Sequence, residues 1–260
     1  MGAMSFSLVK WYMDCVTDSG EAVIVYLADL HWRGIHAHIG SVLTTRKDEP
    51  PVTHTSLARH DLHSSTELIA VEHPKLKVRG CWQSAAAPFA KIVYEEQAGS
   101  VVWNCIQPRS RVKVSVGDQE FHGLGYAECL TVTVPPWQLP MRELRWGRFV
   151  APDHALAWVD WIGTYSTSFA LLDSQETHLR SASEAEVVAG DAVLQIAPGK
   201  SLRSGRLGST ILSGASGLRR LFPRRLFGID ERKSLSPGTL TIAGKSSTGW
   251  VIHEVVKWEL

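Results

Sequence analysis

The sequence of 260 residues has little of what usually betrays a function. There are four cysteines, Cys15, Cys81, Cys105 and Cys129, and no Cys-x-x-Cys pair. That excludes the common zinc-ribbon and dithiol spacings and predicts buried free thiols in a reducing compartment. No apolar run approaches the ~20 residues a membrane helix needs. The opening MGAMSFSLVK has no basic segment leading into an apolar one, so no signal peptide and a cytoplasmic location are expected. Net charge is nearly absent: 27 basic against 26 acidic side chains give +1. A nucleic-acid partner would demand a basic footprint, and none is expected. G-x-S-x-G and P-loop motifs are missing. GLGYAE (123–128) contains Gly-x-Gly but runs into a strand pattern instead of a helix, which removes the dinucleotide reading. No cofactor is expected.

Helical periodicity is scarce too. In its place are short runs of Val, Ile, Thr, Trp and Tyr, broken by Gly, Pro, Asp and Ser. SLVKWYMDCV (7–16) and EAVIVYLADL (21–30) flank the turn TDSG, and RVKVSVGDQEFHGLGYAECLTVTV (111–134) reads as a hairpin about Gly117-Asp118. GIHAHIGSVLTT (34–45) alternates as a strand with one wet face does. Further strands are predicted at 75–82, 90–96, 155–163, 165–172, 191–197, 209–214, 238–244 and 250–260. The chain is therefore expected to be all-β and antiparallel, a sandwich or barrel. Three prolines in PPWQLP (135–140) interrupt any ladder and place a boundary between domains at 5–136 and 137–260. Residues 173–187 read as a short helix or an irregular crossover. No strict internal repeat is visible.

Three segments resemble the carotenoid 1,2-hydratase (hydroxyneurosporene synthase) and AttH-like superfamily. KWYMDCVTDSGEAVIVYLAD (10–29) is similar to its Trp-Trp-Tyr-x-Asp strand, turn and second apolar strand. PRSRVKVSVGDQEFHGLGYAE (108–128) is similar to the strand leading into its Gly-Tyr-His-Asp-His-Asn motif, and RELRWGRF with ALAWVDW (142–161) to the Trp-Gly strand and partner that follow. The resemblance implies two lipocalin-like antiparallel β-barrels or sandwiches packed together. It also implies hydration, cyclisation or double-bond migration on a large apolar isoprenoid- or polyketide-like molecule. The sequence departs from the motif after Gly125-Tyr126: Ala127, Glu128, Cys129 and Leu130 stand where the family has His-Asp-His-Asn. Only an acidic group survives, one methylene longer.

Strand alternation sets Tyr126 and Glu128 on one face, Trp146 and Arg148 on one face, and Trp158 and Asp160 on one face. All six are expected to line one pocket, with Arg148 within reach of both carboxylates. Acid catalysis on an alkene needs a carboxyl kept protonated by apolar burial and aromatic faces to hold the cation. Glu128 or Asp160 is the candidate proton donor and Tyr126 its orienting partner. Trp146, Arg148, Trp158, His122 and Trp11 are candidate ligand contacts. The inert alternative is a buried ion pair among core tryptophans, and with it a protein that binds a hydrophobic ligand without changing it.

Two weaker constellations remain. His36 and His38 share a strand face at a spacing that can hold zinc, with His31, His54, His60 or His63 as third ligand. Without a carboxylate or cysteine at a telling spacing, no metal is expected. RRLFPRRLFG (219–228) doubles a basic motif. Arg219, Arg220, Arg224 and Arg225 are a candidate peripheral membrane contact, against the plainer reading of a loop stapled by Leu and Phe.

Overall fold

A computed structural model of the chain describes residues 6–206 and 229–258. The chain divides into one compact unit ending at Leu139 and a second beginning at Pro140. Trp137 explains why the division falls after the prolines' midpoint: its ring meets Phe6 at 5.9 Å and Trp32 at 4.9 Å, both edge-on, tying PPWQL to the first unit.

The first unit holds β1 (Ser7–Val16), β2 (Ala22–Trp32), β3 (Ile35–Thr45), β4 (Val52–Ser56), β5 (Asp61–Ser64), β6 (Leu68–His73), β7 (Val78–Ser84), β8 (Phe89–Glu96), β9 (Gly99–Val116) and β10 (Gln119–Val132). They form one antiparallel sheet in the order β4-β3-β2-β1-β10-β9-β7-β6-β5, with β8 on the free half of β9. Val42 of β3 and Ile69 of β6, far apart in that order, share one core cluster with Met13, Val25, Leu27, Trp82 and Phe121. The sheet therefore curls round its own core.

The second unit holds β11 (Met141–Val150), β12 (Ala155–Gly163), β13 (Thr167–Leu172), β14 (Gln175–Thr177), β15 (Leu179–Ala182), β16 (Glu186–Ala189), β17 (Ala192–Ile196), β18 (Lys200–Arg206), β19 (Asp230–Ile242) and β20 (Lys245–Lys257). Its order is β14-β13-β12-β11-β20-β19-β17-β16-β15, with β18 on β19. Each strand of the first unit thus has a counterpart ten places later. Its core gathers Phe149, Leu156, Trp158, Val187, Leu194 and Val251.

The all-β antiparallel expectation holds: among the described residues only two single 3-10 turns interrupt the strands. No described helix is long and apolar enough to cross a membrane. Two readings are corrected. Residues 173–187 hold short strands, not a helix. Between residues 46 and 74, three strands went unpredicted: β4 and β5 are short and mostly expose polar side chains, and β6 is only six residues long although its Ile69, Val71 and His73 do alternate inward. The strand at 209–214 and the doubled arginine motif with Arg219, Arg220, Arg224 and Arg225 lie outside the described residues.

Candidate functional site

Tyr126 and Glu128 do share a face of β10. Register sets Glu128 opposite Tyr12 and Tyr126 opposite Asp14 on β1, all on the side away from Met13 and Cys15, which enter the core cluster. This second face is also closed: Tyr12, Asp14, Tyr26 and Tyr126 are all buried. Tyr12 packs edge-on against Tyr26 at 5.3 Å and against Tyr126 at 6.0 Å.

Glu128 itself is half-buried. Its Oε2 accepts from the Tyr126 hydroxyl at 2.7 Å and from the Trp103 indole N–H at 2.5 Å. Cys105 lies opposite Glu128 on β9. Burial first, then the neighbouring Cys105 and Glu128, push the Tyr126 phenol well above its ordinary range. Burial likewise raises the Cys105 thiol, partly offset by its hydrogen bond to Tyr126. Phenol and thiol therefore stay protonated near neutrality, and Tyr126 is an O–H donor to the carboxyl. Two donors on one oxygen stabilise a carboxylate through charge-assisted hydrogen bonds.

Trp103 and Cys105 escaped the sequence reading for a definite reason. A plain hairpin about Gly117-Asp118 would set Gln107 opposite Glu128. Two bulges in β9, on either side of Gln107, move the register so that Cys105 takes that place, as bulges beside sites commonly do.

The other predicted residues divide. Trp146 and Arg148 share a face of β11, and Arg148 is buried with Nη1 donating to the Trp250 carbonyl at 2.7 Å. Trp158 stands across from Gly147, not from Trp146. A Cβ at Gly147 would run into the Trp158 ring, so Trp158 and Asp160 lie on the opposite, core-side face. Asp160 accepts from Ser168 Oγ at 2.6 Å and does not meet Arg148. The single six-residue pocket is therefore corrected: β11 itself separates Arg148 from Asp160. Trp146 and Trp158 do border one cleft of about 380 Å³, with Arg145, Glu184, Arg232, His253 and Glu254. Its carboxylates are ion-paired: Glu143 with Arg145 at 2.7 Å, Glu184 with Arg232, and Glu254 with Lys233. His122 is exposed beside Glu120, at 3.3 Å. Trp11 is half-buried against the first unit's core.

The histidines gather more closely than their spacing suggests. Arg33 and Gly34, with φ of 52° and 76°, make the tight primed turn between β2 and β3. That turn fixes His31 opposite His36 and Asp29 opposite His38. The carboxylate missing from the sequence reading is Asp29, legible from DLHWRGIHAH (29–38) once a two-residue turn is assumed. His31 stacks on His36 at 3.8 Å between ring centroids, His36 lies 4.5 Å from His38, and His60 follows at 5.9 Å. Burial lowers the His60 pKa, with Asp29 opposing and His38 adding to the effect. His54 and His63 are exposed.

No family model matches the chain, and no curated protein matches its sequence. Solved structures do. An AttH candidate of Nitrosomonas europaea superposes with a TM-score of 0.58 at 10% identity, over 97% of this chain and 92% of that one. CghA bound to Sch210972 gives 0.58 at 8% identity, over 98% and 89%. Kievitone hydratase from Nectria haematococca gives 0.57 at 8% identity, over 96% and 88%. The described residues thus have the two-part all-β fold of these AttH-like structures, the fold class the resemblance implied.

Proposed function

We propose that the protein is a lyase or isomerase that moves protons on an apolar unsaturated molecule, with Glu128 as the proton-transfer group. The observation that carries this reading is the half-buried Glu128 carboxyl, held through Oε2 by the Tyr126 phenol and the Trp103 indole. A carboxyl fixed by two donors keeps its geometry through a reaction, so little ordering remains for the transition state. Because the donors favour the charged form, the cycle begins with Glu128 as base. It takes a proton from a carbon or from a water that adds to a polarised double bond. The protonated carboxyl then returns that proton to carbon, so hydration and double-bond migration both leave the enzyme unchanged. Trp103 contributes an N–H here, and the cation-holding role expected for Trp146 and Trp158 has no support from this geometry. The fold shared with a kievitone hydratase adds weight to a hydration chemistry, though fold alone assigns no reaction.

The test is incubation in D₂O with a panel of prenylated and polyketide-like alkenes, followed by mass spectrometry. Deuterium at carbon, with or without the mass of water, is expected from wild type. Glu128→Gln should slow its appearance by ~10²–10⁴-fold, the usual worth of a positioned acid-base group. A ligand that both proteins retain unchanged would overturn the reading. That outcome would favour the second one, a carrier, which rests on the tryptophan cleft of the second unit: its paired carboxylates suit it to hold a ligand and not to protonate one.

A further inference from the structure

We propose that Asp29, His38 and His60 bind a divalent transition-metal ion of the zinc class at one end of the first unit's core. Each offers one ligand atom, and all these atoms lie within 4.8 Å of one another. His38 Nδ1 contacts Asp29 Oδ1, while His60 Nε2 stops 3.7 Å from Oδ2. That gap is too long for a hydrogen bond. It is close to the ~3.3 Å between neighbouring ligands on a tetrahedral zinc with bonds of 2.0–2.1 Å.

A second observation is independent of that spacing. The His60 side chain is only 6% exposed, yet its Nδ1 has no hydrogen-bond partner. An ion on Nε2 would engage this buried ring on its Asp29 side and leave Nδ1 as the N–H donor, so it is the burial of the ring beside Asp29, not the open Nδ1, that favours the site. Two imidazoles and a carboxylate are the donor set that zinc, cobalt and nickel take readily. The primed turn at Arg33-Gly34 presets two of the three ligands on adjacent strands. The third comes from the connection between β4 and β5, so the ion would clasp that connection to the hairpin. Asp29 and His38 point to the core side of the sheet, opposite Glu128, so this site is separate from the proposed reaction.

Full-length protein stripped with chelator and dialysed should bind one equivalent of Zn²⁺, read by calorimetry and elemental analysis. Co²⁺ in its place should give the visible absorption of a four-coordinate nitrogen–oxygen site. Asp29→Asn keeps the shape and the contact to His38, and should weaken binding by ~100-fold or more, beyond the 10–100-fold typical of lost outer-shell partners. His60→Ala should do the same, while His54→Ala and His63→Ala should change nothing. Absence of stoichiometric binding by wild type would overturn the proposal, whether or not the variants fold. So would equal affinity in His60→Ala, because His60 would then hold no bond to the ion.

Discussion

The two units place a glutamate at the same point of the same topology and give it opposite surroundings. Glu128 faces Tyr12 on β1, and Glu254 faces Trp146 on β11. Across the next ladder Glu128 meets Cys105 and Glu254 meets Lys233. One step further the pair is Trp103 and Glu231 by the same registers. In the second unit this face is ionic: the buried Lys233 ammonium contacts Glu254 and lies 5.3 Å from the Trp146 ring, and Arg203 pairs with Glu231 at 3.2 Å. In the first unit the groups that meet Glu128 are instead phenol, thiol and indole, with Lys10 over the Tyr26 ring and Asp14 buried further along the face. A shared backbone fixes where a carboxyl stands. The residues opposite decide whether it is neutralised by a buried cation or held by neutral donors.

The sharpest way to break this comparison is to remove the cation. Lys233→Met leaves the half-buried Glu254 against a methyl group, and because Glu254 keeps some access to water the loss should fall at or below the ~3–5 kcal/mol of a fully buried pair. Adding Glu254→Gln should recover most of that. Glu128→Gln, which keeps two donors aimed at an oxygen, should cost about 1 kcal/mol. Urea denaturation of the four proteins measures the contrast. Equal losses from Glu128→Gln and Lys233→Met would show that both carboxyls are structural.

Most of the fold was legible because strand periodicity and turn chemistry are local. The TDSG turn, the hairpin at Gly117-Asp118 and the alternation of KWYMDCV all reappear in the ladder. The residue-by-residue correspondence between the two halves was not legible. Equivalent positions keep register without keeping residue type, as Tyr12 and Trp146, Asp14 and Arg148, or Cys105 and Lys233 show. For the site, Tyr126 beside Glu128 followed from alternation alone. Trp103 required two bulges that no local signal announces, and placing Asp160 with Arg148 required knowing which face of β11 each strand neighbour shares. Asp29 was readable in principle, since one turn type determines its partner.

A smaller effect sharpens the comparison inside the cores. Met13 faces Val25 in the first unit, and the equivalent pair in the second is Gly147 facing Trp158. Volume has been exchanged across one ladder rung: the indole fills the space over the glycine. Gly147→Ala forces a methyl into that ring and should cost about 1–3 kcal/mol, as overpacking does. Gly147→Ala combined with Trp158→Val should cost less than the sum of the two single changes. Thermal melts of the four proteins give the coupling, and strict additivity would mean the two positions are not one packing unit.

The graded effect comes last, at alkaline pH, and it separates the units by their cysteines, all of which are in the first. Burial raises the Cys129 thiol to about 11, with Glu128 adding to the rise. Cys105 and Tyr126 are raised in the same direction. A raised folded value means that, once pH passes the ordinary thiol range, the unfolded chain has lost a proton the folded chain still holds. Stability is then fully present below about pH 9 and declines as pH climbs towards 11. The second unit has no thiol to titrate, so the first should open earlier. Hydrogen exchange resolved by peptide should show β9 and β10 losing protection between pH 9 and 11 while β19 and β20 keep theirs. Thiol counting on the native protein gives the same ordering chemically. At pH 8 the exposed Cys81 should react alone, and Cys105 and Cys129 should join it only as that first sheet opens. Reaction of Cys105 at pH 8 would mean that the face carrying Glu128 is wet, and the contrast between its phenolic setting and the ionic one around Glu254 would lose its physical basis.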